Sequence, residues 1–217
     1  MDPALEQAMA ELVQIGALET GSAPTDVTDL VVMHARGLAG IQSFGALATL
    51  SLIGSDIADW SALAALGRLR VLTIEYSALT EIGWVEALGV QVLGLRGNRV
   101  VEIRELGGLA SLQSVDLRGN PLSSAAYAWA RDVLAARVQV QLDDEETWEL
   151  CRAIQHEGWS AVAYRDARGL RVAWTGLGDS DAPEAGHPVV SPPELRSALR
   201  SPEGLRALLS GRNRANG

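Results

Sequence analysis

Lysine is absent from the 217 residues, and all 18 basic side chains are arginine. Set beside 22 glycines and abundant alanine, this reads as the composition of a GC-rich, bacterial coding sequence, not as an arginine-based function. Cysteine is nearly absent. The single Cys151 excludes an internal disulfide and a cysteine-rich metal site. Basic charge is in deficit, with a net −9, which argues against nucleic acid and against an anionic membrane surface, since both need a basic face. The three histidines, His34, His156 and His187, are scattered, and none has a helical i, i+4 histidine partner. No apolar run reaches the roughly 20 residues of a membrane span. The first 19 residues carry acids throughout where a secretion leader would be basic and then apolar. A soluble, cytoplasmic protein is the expectation.

What is present is leucine at regular intervals. Leu50, Leu52, Ile57, Trp60, Leu63 and Leu66 form one register, repeated 22 residues on as Leu72, Ile74, Leu79, Ile82, Val85 and Leu88. The next copy is one residue shorter, at Leu93, Leu95, Val100, Ile103, Leu106 and Leu109, and another begins Val115, Leu117, Leu122. Three residues past the second apolar of each pair stand Ser55, Ser77, Asn98 and Asn120. A period of 20 to 30 residues marks units that stack, because no single unit buries its own apolar face. The apolar pair is a short strand with one face inward. The Ser or Asn satisfies backbone groups where the chain turns away. The apolars spaced by three then cover the back of the coil as loop, 3₁₀ turn or short helix. The shortened copy at Leu93 predicts a local irregularity. A more divergent copy precedes these, read as Val31, Met33, Leu38, Ile41, Phe44 and Leu47, with Arg36 at the Asn position.

These residues resemble a leucine-rich repeat protein, of the short 22-residue kind found in phosphatase-regulatory and other intracellular repeat proteins. The resemblance implies an α/β fold, a right-handed solenoid with a parallel concave sheet. Three regions are expected: an N-terminal helical cap over 1–27, the solenoid with its C-terminal cap over 28–144, and an α+β appendage over 145–217. Leu5, Met9, Leu12, Val13 and Ile15 recur at helical spacing behind Asp2-Pro3 and would close the first coil. After Asn120-Pro121-Leu122 a helix over 125–136, with Trp129, Val133 and Leu134 inward, leads to a last strand through Val138, Val140 and Leu142. That succession resembles the C-terminal cap of such proteins, with Gln139 and Gln141 extending the concave face.

The appendage reads as a helix over 145–157 capped by Asp144, a hairpin of 160–164 and 170–175, a loop over 176–190, and two short helices from Ser191 and Ser201. Glu145, Glu146 and Glu149 complement the dipole of the first helix better than they suit a metal. Arg196, Arg200 and Arg206 fall near one side of the short helices and form a solvated face or meet an acidic partner.

Strand alternation lists the outward positions as Val32 and His34; Thr49, Ser51 and Ile53; Val71, Thr73 and Glu75; Val92, Gly94 and Arg96; Ser114, Asp116 and Arg118. With strands about 4.8 Å apart, His34, Ile53, Glu75, Arg96 and Arg118 make a ladder roughly 20 Å long, with Tyr76 at its edge. Both signs of charge, an exposed Ile and a Tyr suit a protein interface. The competing reading is that the charges only pair with one another in water.

Chemistry is not indicated. Gly94-Leu95-Arg96-Gly97 lacks the lysine and hydroxyl of a phosphate loop. Cys151 and His156 are five apart on one helix and fall on different sides. Asp179, Asp181, Glu184 and His187 lie in a flexible loop, a poor cage for a metal. The expectation is therefore a monomeric, non-catalytic scaffold that uses no cofactor or metal and binds a protein through its concave face. The alternative is an effector or enzymatic module in the appendage, targeted by the repeats, with a pocket beside Trp159, Tyr164 and Trp174. Self-association through the hairpin edge is a third reading.

Overall fold

The computed structural model of the protein describes residues 1–177 and 187–209. The candidate loop ligands Asp179, Asp181 and Glu184, and the tail 211–217, lie outside the described residues. Six strands form one parallel sheet in sequence order: β1 (Asp29–Met33), β2 (Thr49–Ile53), β3 (Val71–Glu75), β4 (Val92–Gly94), β5 (Ser114–Asp116) and β6 (Gln139–Gln141). Short 3₁₀ turns at Ile41–Ser43, Ser61–Ala65, Gly83–Ala87 and Arg104–Gly108 return the chain along the convex side. One continuous core lies between sheet and turns, built from the leucines of the repeat with Phe44, Trp60 and Val85. This is the stacked-coil solenoid that the repeat dictates.

The turn residues work as expected, and they work across coils. The Asn98 amide accepts from Ser77 N at 3.1 Å and donates to Ile74 O at 2.6 Å and Leu95 O at 2.8 Å. Asn120 accepts from Val100 N and donates to Leu95 O and Leu117 O. Ser77 Oγ accepts from Ser55 N, and Ser55 Oγ accepts from Ala35 N. All four side chains are buried, so each answers backbone groups that water cannot reach. The expected irregularity appears as a shortening of the strands from five residues to three at β4.

The first coil differs from its sequence reading by one residue. Leu30 pairs with Leu50 and Val32 with Leu52, so these two are buried, while Val31 and Met33 are each 55% exposed. The Asn position is Ala35, not Arg36. Leu30-Val31-Val32-Met33 is apolar in both parities, so alternation there has no preferred phase, and a one-residue slip exchanges the faces.

The N-terminal helix α1 (Pro3–Gln14) is capped by the Asp2 carboxylate, which accepts from Ala4 N, and it packs against β1. Its buried residues are Leu5 and Ala8, with Met9 and Leu12 partly covered. Ile15 lies beyond the helix and is 75% exposed, against expectation. After β5, helix α2 (Ser124–Asp132) ends early, and a 3₁₀ turn at Leu134–Ala136 leads into β6. That break turns Val133 outward, and the inward residues are Ala126, Ala130 and Leu134, with Trp129 partly buried against the same core as expected. Among the described residues no helix is long and apolar enough to cross a membrane.

The C-terminal unit has its own core. Helix α3 (Glu145–His156) packs on a sheet of β7 (Ala161–Asp166), β8 (Gly169–Trp174) and β9 (Val189–Val190), followed by α4 (Pro192–Ala198) and α5 (Pro202–Leu209). The hairpin turn is tighter than expected, leaving only Ala167 and Arg168 between the strands. Strand β9 falls in the stretch read as loop, because two valines are too few to show alternation. Trp148 on α3 belongs to the solenoid core, where it stacks on Tyr127 and donates to Leu122 O at 2.8 Å. Leu150, Cys151 and Ile154 of the same helix belong to the second core.

Candidate functional site: the concave sheet

The register of the sheet sorts its outward side chains into rows. One row is Asp29, Thr49, Val71, Val92, Ser114 and Gln139; the next is Val31, Ser51, Thr73, Gly94, Asp116 and Gln141. The third begins Met33, Ile53, Glu75 and continues at the same repeat position with Arg96 and Arg118. Met33 therefore takes the place given to His34 in the ladder read from sequence. His34 instead occupies the strand exit, at φ 56°, where the later coils place Gly54, Tyr76, Gly97 and Gly119, also with positive φ. Gly97 is required there for a second reason: a Cβ would come within 2.5 Å of the Tyr76 ring.

The charged half of the ladder is largely engaged within the chain. Arg118 forks onto Asp116, its neighbour two residues back, with Nε donating to Oδ1 at 2.9 Å. Arg96 lies over the ring of Tyr164, 4.5 Å from its centroid, and 5.9 Å from that of Tyr76. Cation–π contact of this kind favours the flat arginine head. Glu75 is half-buried between rows, and that burial pushes its carboxyl pKa up, against the pull of Arg96.

The C-terminal unit reaches these residues because it rests on the strand exits. Gly176 N donates to Tyr76 O at 2.8 Å, and Arg99 Nε to Gln155 Oε1 at 3.2 Å. The Tyr76 ring meets Tyr164 at 5.5 Å and His187 at 4.9 Å. Tyr164 Oη and His187 Nδ1 are 2.6 Å apart. Burial, then Arg171 and Arg96, hold the His187 pKa down, so the imidazolium is disfavoured in this cluster. The Asp143 carboxylate accepts from Gly119 N at the same junction, and burial pushes its pKa up to about 6. Sequence reading missed His187 and Asp143 here, since no periodic signal says where an appendage docks.

The rest of the concave sheet is open. Val31, Met33 and Val92 are exposed, and Ile53, Val71 and Thr73 are half-buried. Ser51 and Thr73 bond to each other through their hydroxyls at 2.6 Å. This face is apolar toward the N-terminus and charged toward the C-terminus. It offers area for contact but no nucleophile paired with a base. Cys151 is fully buried against Ala163 O, with its pKa raised well above the usual thiol range by burial. The indoles of Trp159 and Trp174 are tilted at 49° with centroids 6.2 Å apart, and Arg206 lies over Trp159. Among the described residues no group of three or more His, Cys, Asp or Glu is placed to hold a metal ion.

No family model matches the chain, and no curated protein matches it in sequence. Solved structures do. An internalin C2 from Listeria monocytogenes is similar at a TM-score of 0.52 and 20% identity, over 70% of this chain and 70% of that one. An internalin (inlF) from the same organism is 16% identical over 69% of this chain and 53% of its own, at a TM-score of 0.29. Internalins are leucine-rich repeat proteins, and the first likeness, with the parallel sheet, fixes the fold.

Proposed function

We propose that this chain, a leucine-rich repeat solenoid by its fold, is a non-catalytic adaptor that binds a protein partner through the open part of its concave sheet. The observation that carries the reading is the apolar field of Val31, Met33, Ile53, Val71 and Val92, left uncovered by the C-terminal unit. Scattered exposed apolar residues are ordinary, but Met33 beside Ile53 and Val71 beside Val92 on one open sheet face favour a partner's side chains. The likeness in fold is consistent with interaction in general and selects no partner. We take the protein as a cytoplasmic monomer, a reading supported by its single, buried cysteine.

Arg96 is a poor residue to test, because it also holds the C-terminal unit. Ile53 and Val71 are better, being on the open face and outside both cores. Immobilised wild-type protein is expected to capture specific proteins from host lysate, and Ile53→Glu with Val71→Glu is expected to lose them. The melting temperatures of the two proteins should stay within a few degrees. Capture that survives the double variant would move the binding surface elsewhere.

A further inference from the structure

Strand β1 ends the sheet. In a parallel ladder the N–H and C=O of one residue point to the same side, and successive residues alternate. His34 N donates to Ile53 O, so His34, Val32 and Leu30 face β2. Asp29, Val31 and Met33 therefore turn their backbone groups to the free edge, and no described residue bonds to them there. The side chains of Val31 and Met33 are also the exposed apolar end of the concave face.

A groove of about 390 Å³ runs along this edge. Val31 and Met33 form one side, and Asp2, Ala4, Gln7, Ala8 and Glu11 of the first turns of α1 and its cap form the other. Its size is at the small end of peptide- and ligand-sized clefts, which run from roughly 300 Å³. An unpaired strand edge beside a groove is a template for one more strand.

Charge decides what that strand is. Residues 1–27 hold five acids and no base. A second copy pairing edge to edge would bring two such acidic segments together, which disfavours it. We propose that the free edge of β1 accepts an extended segment of another protein, with apolar residues beside Val31 and Met33 alternating with basic residues toward Asp2 and Glu11. His34 and Arg36 line the exit end of the groove, where the segment stops or carries an acid. Val31 and Met33 also belong to the apolar field of the concave sheet, but strand addition uses the backbone edge of β1, which Ile53→Glu with Val71→Glu leaves intact, so the two readings fail on different tests.

The test uses a fluorescent peptide alternating valine and arginine, titrated into the whole protein and read by anisotropy. A second peptide of the same sequence is N-methylated at alternate residues, so it keeps charge and side chains but cannot pair. Saturable binding of the first, at least tenfold weaker for the second, supports strand addition. Val31→Pro removes a donor that the fold does not use, and proline is tolerated on an edge with its nitrogen outward. It should weaken the first peptide at least tenfold as well. If Val31→Pro fails to fold, the N-methylated peptide on wild-type protein still decides. Equal affinity for the two peptides, no saturable binding, or unchanged binding by folded Val31→Pro overturns the proposal. So does a dimer in sedimentation that Val31→Pro reverts to monomer, which would make a second copy the occupant.

Discussion

At Asn98 one buried amide answers a carbonyl of its own coil and a carbonyl and an N–H of the coil before it. Asn98→Ala leaves Ile74 O and Ser77 N without partners in a site closed to water, while Leu95 O keeps its bond from Asn120. Each such group costs about 1–3 kcal/mol. The variant should lose at least about 2 kcal/mol in urea denaturation, and Ser77→Ala, with fewer groups to orphan, should lose less. Asp143 makes the opposite kind of demand. Its pKa is about 6 in the folded chain because burial penalises the charge, whereas an unfolded aspartate lies near 4. The folded state thus holds the proton more tightly, and this residue's contribution to stability falls as pH rises from about 4 through 6. The full swing is about 3 kcal/mol. Asp143→Asn keeps an acceptor for Gly119 N and has nothing to ionise. Stability curves of wild type and variant between pH 4 and 7 should therefore diverge, the variant gaining relative to wild type toward pH 7. Parallel curves would show that folding leaves the Asp143 pKa unmoved.

Between elements, the contact that matters most to the site is the one from the exit of β4 to β7. Arg96 over Tyr164 joins the concave sheet to the C-terminal unit. A double-mutant cycle of Arg96→Ala and Tyr164→Ala should show a coupling of about 1 kcal/mol in stability, the scale of a partly desolvated cation–π pair. Additive losses would mean that the two units rest together without this link. Elements were also where reading from sequence succeeded and failed for identifiable reasons. From Leu50 to Leu122, leucine alternates with small or polar residues, so phase and register were legible. At Leu30–Met33 every residue is apolar, and the phase was lost until Leu30 met Leu50. Val133 went astray because a helix ended a turn early, and helix ends depend on local turns that periodicity does not carry. The outward row from Ile53 to Arg118 was readable from alternation alone. That Arg96 and Tyr76 are spoken for was not, since their partners lie some 70 to 110 residues away in a unit without repeats.

At the scale of the molecule, one helix serves two cores. Trp148 anchors the solenoid and Leu150, Cys151 and Ile154 anchor the second unit, so α3 splices the two along a single rod. The splice also explains why the C-terminal unit sits on the strand exits and leaves the N-terminal part of the concave sheet clear. The side-chain bonds that run from coil to coil at the turn positions have a direction. Ala35 relies on Ser55, Ser55 on Ser77, Ser77 on Asn98, and Val100 on Asn120. Each coil borrows a side chain from the one after it. The array therefore has a dependent end and a supplying end. Excising the first coil would orphan none of the amides served by these side chains, while excising the coil of Asn120 would strand Val100 N. In its buried side-chain bonds, a solenoid wired this way loses less by shortening at its beginning than at its end.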